Sequence, residues 1–183
     1  MLTFKEFIGL NESNVKFTIN KDLSVDALGS VNIIELNLTK ILVKFNRVDG
    51  NFSCASNKLT SLKGAPISVV GNFDCYDNQL TSLEGAPKSV GGDFDCSDNK
   101  LTLLKYVPKS VGGSFNCSTN ELTSLKGVPL SIKGGFYCSN NKLTSLKGAP
   151  ESVGGSFYCA NNSVEFTRDD ILKVSKVSGN IQA

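Results

Sequence analysis

Six cysteines fall at Cys54, Cys75, Cys96, Cys117, Cys138 and Cys159, each 21 residues after the last. Two residues before each stands a phenylalanine: Phe52, Phe73, Phe94, Phe115, Phe136 and Phe157. Three after each stands an asparagine: Asn57, Asn78, Asn99, Asn120, Asn141 and Asn162. Leucines follow as Leu59, Leu80, Leu101, Leu122 and Leu143 and again as Leu62, Leu83, Leu104, Leu125 and Leu146, with prolines at Pro66, Pro87, Pro108, Pro129 and Pro150. The unit reads V-G-G-x-F-x-C-x-x-N-x-L-T-S-L-K-G-x-P-x-S. A unit this short cannot bury an apolar face alone, so the chain must stack its units into a solenoid.

Alternation around cysteine points phenylalanine and cysteine inward and the residues beside cysteine outward. Stacked units pair these short strands in parallel at ~4.8 Å, which makes spines of phenylalanine, cysteine and leucine. The asparagine column turns the chain after each strand, with its amide bonded to turn backbone. Gly-x-Pro reads as an extended return leg, because proline and its predecessor both disfavour helix. Glycine pairs such as Gly91-Gly92 and Gly154-Gly155 are expected to permit the turn into the next strand.

The strand segment Gly91-Gly92-Asp93-Phe94-Asp95-Cys96-Ser97-Asp98-Asn99-Lys100-Leu101 resembles the LxxLxLxxNxL strand of leucine-rich repeats, here as GxxFxCxxNxL. The likeness covers roughly two-thirds of the chain, and the short period with a proline-bearing return resembles bacterial-type leucine-rich repeats. Glycine replaces the first leucine, and the usual Leu-Pro-x-Leu-Pro is relaxed to Leu-x-Gly-x-Pro. The resemblance implies a mainly β repeat solenoid: an arc with a parallel concave sheet of about seven rungs, an irregular extended convex side, and caps at both ends. The opening Leu2-Thr3-Phe4-Lys5-Glu6-Phe7-Ile8 also resembles the start of many small proteins of large tailed bacteriophages.

Subtracting one period from Gly50, Phe52, Cys54, Leu59 and Leu62 gives Gly29, Val31, Ile33, Leu38 and Ile41, so 30–50 reads as a degenerate first repeat. Its asparagine is lost to Leu36. Residues 1–29 are expected to cap the first rung, with Phe4, Phe7 and Ile8 on a short amphipathic helix. The alternating runs Val15, Phe17, Ile19 and Leu23, Val25, Ala27 fit a hairpin around Asn20-Lys21-Asp22. The solenoid covers 30–163 and a C-terminal cap 164–183. In that cap a helix begins at Thr167-Arg168-Asp169-Asp170 and ends at Gly179, with Ile171, Val174 and Val177 covering the last rung.

The chain has no histidine, which excludes Ser-His-Asp, Cys-His and His-ligated zinc chemistry within it. The cysteines are expected to be reduced core residues: none is in CxxC spacing, and in-register stacking points their side chains alike. A ladder of thiols fits a reducing compartment, so the expected location is cytoplasmic, in the host cytoplasm for a phage protein. The 12 opening residues mix charge with apolar residues and leave no signal-peptide core. No apolar run nears a membrane span, and a net charge of +2 with scattered lysines gives no reason to expect nucleic acid. No enzyme activity, cofactor or metal is expected, and a monomer is the default.

The informative positions are those the repeat leaves free. Before cysteine the outward column reads Ser53, Asp74, Asp95, Asn116, Tyr137, Tyr158, and two after it Ser56, Asp77, Asp98, Thr119, Asn140, Asn161. With Asp93, five aspartates share one patch, with Tyr76 among them. Stacked carboxylates repel by about 0.7 kcal/mol at ~6 Å even in water. Three readings stand: a solvated acidic face, a dock for a basic protein partner with Tyr137 and Tyr158 as aromatic anchors, or a cation site among Asp74, Asp77, Asp95 and Asp98. On the return legs Lys63, Glu84, Lys105, Lys126 and Lys147, with Lys88, Lys109 and Arg168, form a basic stripe that reads as a solvated ridge. The expected function is a non-enzymatic protein-binding scaffold, possible in a phage protein acting on a host protein. The alternatives are a carbohydrate- or surface-binding adhesion module and a structural particle component.

Overall fold

The computed structural model describes residues 15–183. It is a β-solenoid, and the expected N-terminal helix around Phe4, Phe7 and Ile8 lies outside the described residues. The chain enters through an antiparallel hairpin, β1 (Lys16–Ile19) and β2 (Val25–Leu28), turning at Asn20-Lys21-Asp22 as the alternation predicts. Each coil then carries a front strand and a back strand. The front strands are β3 (Val31–Asn32), β5 (Phe52–Ser53), β7 (Phe73–Asp74), β9 (Phe94–Asp95), β11 (Phe115–Asn116), β13 (Phe136–Tyr137), β15 (Phe157–Tyr158) and β17 (Ile181–Gln182). They form one eight-stranded sheet, parallel and in register, so phenylalanine stacks on phenylalanine.

The back strands are β4 (Phe45–Val48), β6 (Ser68–Val69), β8 (Ser89–Val90), β10 (Ser110–Val111), β12 (Ser131–Ile132), β14 (Ser152–Val153) and β16 (Lys176–Val177). The return side is therefore not wholly irregular, contrary to the sequence expectation. The Ser-Val pair ahead of the glycines forms its own ladder, with valine buried and serine turned outward. A two-residue strand is too short to show alternation in sequence. This ladder breaks once: β1, β2, β4, β6, β8 and β10 form one sheet, and β12, β14 and β16 another.

Three interior spines hold the stack. Phe52, Phe73, Phe94, Phe115, Phe136 and Phe157 are fully buried, with neighbouring ring centroids 5.0–6.1 Å apart. The rings lie parallel between Phe52 and Phe94 and rotate to edge-on between Phe136 and Phe157. Such contacts contribute about 0.5–1.5 kcal/mol each beyond burial. All six cysteines are free and buried beside them, and burial pushes their thiols up, Cys159 to about 11. The neutral thiols are packing groups, not nucleophiles.

The asparagines form the polar spine. Asn99 donates from Nδ2 to the carbonyls of Cys96 and Ser97 in its own coil and to Cys75 of the preceding one, while its Oδ1 accepts from the Leu80 N–H at 2.9 Å. Asn78, Asn120 and Asn141 repeat the pattern. Each asparagine thus ties its coil to the one before. That explains Leu36 in the degenerate first coil, which has no earlier front strand to tie to. Instead Asn57 reaches back, donating to Ile33 O and accepting from the Leu36 and Leu38 N–H groups. Val31, Ile33 and Ile41 of that coil are buried as expected, and Leu38 is half-buried.

Two details of the sequence reading are corrected. The paired glycines do not adopt left-handed backbone. They lie where a Cβ would strike the preceding coil, as at Gly91 against the Val70 carbonyl and Gly112 against that of Gly91. The left-handed glycines are Gly29, ahead of the first front strand, and those of the return legs, Gly64, Gly85, Gly127 and Gly148. At the C-terminus, helix α1 (Arg168–Val174) starts as expected, with Thr167 and Asp170 forming a reciprocal capping box, but it ends at Ser175. Gly179 instead forms the turn between β16 and β17, against Gly155 and Ser156 of the coil below. The helix replaces a return leg, lengthening that coil by three residues (Phe157 pairs with Ile181) and adding an eighth front strand to the seven expected rungs. Ile171 is fully buried, whereas Val174 is exposed and Val177 joins the back ladder beside Val153.

Candidate functional site

The front sheet presents the predicted residues outward, yet divides them by local role. Asp77 and Asp98 are exposed and belong to a column whose every member has left-handed backbone: Ser56, Asp77, Asp98, Thr119, Asn140 and Asn161, with φ between 50° and 58°. Asp and Asn tolerate that region better than other non-glycine residues, so the turn accounts for these two aspartates. Asp93 has another structural task. Along the residue before each phenylalanine, Asn51 Oδ1 accepts from the Asn72 N–H, Asn72 Oδ1 from Asp93, Asp93 Oδ1 from Ser114 and Ser114 Oγ from Gly135. Asp93 is one rung of that ladder.

Asp74 and Asp95 remain, paired in register on β7 and β9. Asp95 is well solvated by the fold: its Oδ1 accepts from the Ser97 N–H and hydroxyl at 2.9 and 2.6 Å, and its Oδ2 from the Asn116 amide at 3.0 Å. Asp74 has no such donors among the described residues. Its burial, and then the charges of Asp95 and Asp93, push its carboxyl up to about 6. Its register partner on β5 is Ser53, whose buried hydroxyl has no hydrogen-bond partner either. Tyr76, half-buried, projects from the same coil as Asp74.

Tyr137 and Tyr158 stand in the same column toward the C-terminus, half-buried and edge-on to each other with centroids 5.5 Å apart. The Tyr137 ring folds back over Gly135, whose missing side chain leaves it room. Two coils separate Asp95 from Tyr137, about 10 Å at ~4.8 Å per coil. The structure thus gathers Asp74, Asp93 and Asp95, sets Tyr137 and Tyr158 nearby, and places Asp77 and Asp98 on the turn. Among the described residues no group of three or more His, Cys, Asp or Glu is placed to hold a metal ion.

The sequence reading missed a groove on the opposite side. About 1120 Å³ of space opens across the return legs of the early coils, with Ile41, Val43, Ala65, Ile67 and Val107 in its lining. Lys40, Lys44, Lys63, Lys88 and Lys109 also line it, against a single acid, Glu84. The missed residue is Tyr106, which borders the groove with 60% of its surface exposed. Its signal was present in the sequence: the other legs read L-K-G or L-E-G where this one reads Leu104-Lys105-Tyr106.

Among the described residues no helix is long and apolar enough to cross a membrane. No protein-family model, curated protein or solved structure matches the chain.

Proposed function

We propose that the chain is a non-enzymatic binding scaffold of leucine-rich-repeat kind that docks the basic surface of a protein partner on its front sheet. The carrying observation is Asp74: a half-buried carboxylate that has no hydrogen-bond donor among the described residues, stacked against Asp95 and beside the Ser53 hydroxyl, which has no partner among them either. The fold gains nothing from that charge, and like charges across strands are destabilising. A lysine or arginine from a partner would pair with Asp74 and Asp95; the carboxylate side of the desolvation cost is already borne by the free protein, and the cation's own remains to be offset by the pairing. The Tyr137–Tyr158 pair supplies a rigid aromatic margin of the type enriched at interface centres. Asp77, Asp98 and Asp93 add to the field that steers a cationic partner, although their backbone roles explain their presence.

The test is capture of partners from bacterial lysate by the wild-type chain and by an Asp74→Asn/Asp95→Asn variant, at low and high salt. Asn116 already occupies this column, with its Oδ1 accepting from the Ser118 N–H, so the amides fit the fold. A partner held by the wild type, released by salt and lost by the variant supports the reading. Identical capture by both proteins removes the acidic pair from the function.

A further inference from the structure

The return leg of residues 101–109 departs from its neighbours at one wall of the groove. Ser61, Ser82 and Ser124 accept from the N–H two residues on, each at 3.1 Å, and Leu103 in that column offers Lys105 no acceptor. Tyr106 stands where four other legs have Gly64, Gly85, Gly127 and Gly148, yet keeps left-handed backbone at φ 64°. Elsewhere the Ala65, Ala86, Val128 and Ala149 N–H groups close the turn by donating to leucine carbonyls, whereas among the described residues no Val107 N–H to Leu104 bond closes this one. The back ladder breaks immediately afterwards, between β10 and β12. Left-handed backbone is costly for a bulky residue, and such strain, held in place by the surrounding structure, clusters at functional sites.

What the leg gains is two large apolar side chains in the open, Leu103 at 51% and Tyr106 at 60% exposure. Tyr106 faces an apolar floor bordered by lysines. Lys44 pairs with Asp22, but among the described residues Lys40, Lys63, Lys88 and Lys109 have no ion pair. The lining comes from four successive coils, which spans about 14 Å, the length of roughly four extended residues. We infer that this groove binds an extended acidic peptide segment, its carboxylates on the lysines and an aromatic or branched apolar side chain against Tyr106.

The test is fluorescence anisotropy with a labelled short peptide alternating glutamate and phenylalanine, and its lysine-for-glutamate counterpart as control. Tyr106→Gly restores the repeat's own residue, and its thermal unfolding, expected to be no lower than the wild type's, separates lost binding from misfolding. The expected result is saturable, salt-sensitive binding of the acidic peptide alone. Tyr106→Gly should weaken it about tenfold, as loss of an aromatic anchor does, and Lys63→Glu/Lys88→Glu/Lys109→Glu should weaken it further. Asp74→Asn/Asp95→Asn should leave it unchanged, which separates this site from the front sheet. Equal affinity for the wild type and Tyr106→Gly, binding of the lysine peptide, or loss in the front-sheet variant overturns the inference. So does binding to phosphatidylserine vesicles without peptide binding, which assigns the groove to membranes, or self-association abolished by Tyr106→Gly, which assigns it to a second copy.

Discussion

At the turn after the front strands, asparagines buried from Asn57 to Asn141 tie coil to coil: Asn99 satisfies carbonyls of two coils and the N–H of Leu80. At the turn of each return leg, a left-handed glycine and a surface serine do the corresponding work, within reach of water. The first turn keeps its residue through six repeats, and the second admits Leu103 and Tyr106. Buried polar backbone has no substitute donor, whereas exposed backbone can turn to solvent. Deviation on the return side is therefore survivable, and where several deviations coincide it points to a role outside the fold.

The sharpest test of that contrast is Asn99→Ala beside Ser82→Ala. Removing the Asn99 amide orphans the Leu80 N–H in the interior and leaves the Cys75 carbonyl with one amide donor, Asn78 Nδ2, in place of two; a buried unsatisfied group costs about 1–3 kcal/mol, so a loss of about 2 kcal/mol or more is expected. Ser82→Ala frees only an exposed N–H, and about 0.5 kcal/mol should be lost. Urea unfolding measures both. Comparable losses would mean that the two turns are not held differently.

Gly112→Ala comes next. A Cβ at Gly112 lands on the Gly91 carbonyl, a backbone atom that cannot move without opening the stack, so about 2 kcal/mol should be lost. If the glycine served only turn conformation, alanine would be tolerated, because its backbone is not left-handed. Tyr106→Gly reverses the sign. Relief of a left-handed tyrosine, less the added freedom of the unfolded glycine, should raise stability by about 1 kcal/mol. A destabilised variant would show that Tyr106 supports the fold, and would weaken the case for a ligand.

The phenylalanine, cysteine and leucine spines were legible because inward positions recur at a fixed period and permit one residue class. Asn57 through Asn162 were legible for the same reason. The back ladder was not, since Ser-Val offers no alternation, and neither was β17: Ile181 follows Phe157 by 24 residues and escapes a period of 21. The acidic patch was visible as a cluster, but sequence could not separate Asp77 and Asp98, fixed by left-handed backbone, or Asp93, held in a turn ladder, from the uncompensated Asp74. The groove escaped because its lysines and apolar residues come from different columns, which only the coil geometry brings together.

The smallest predicted effect concerns the sign of a pH dependence. With its native pKa near 6 and an unfolded value of about 3.9, Asp74 holds more proton in the folded chain between those limits. Stability should then fall as pH rises from about 4 to 6 and level off above. Asp170 acts oppositely: the Thr167 hydroxyl, the Thr167 N–H and Lys173 pull it down to about 2, so its contribution is present above its unfolded value and is lost as pH falls toward 2. Asp22, held low by Lys44 and Ser24, and Glu121, held low by Lys142, act with Asp170 on the acid limb, whereas Asp74 gives a decline above it. Asp74→Asn should remove the decline on the alkaline side and leave the acid limb intact, as read by thermal unfolding across that range. A basic partner bound at Asp74 would abolish the same decline in the wild type, because the pairing cation favours the charged carboxylate. An alkaline-side decline that survives Asp74→Asn would place the uncompensated charge elsewhere, and would remove the strongest physical reason for docking on the front sheet.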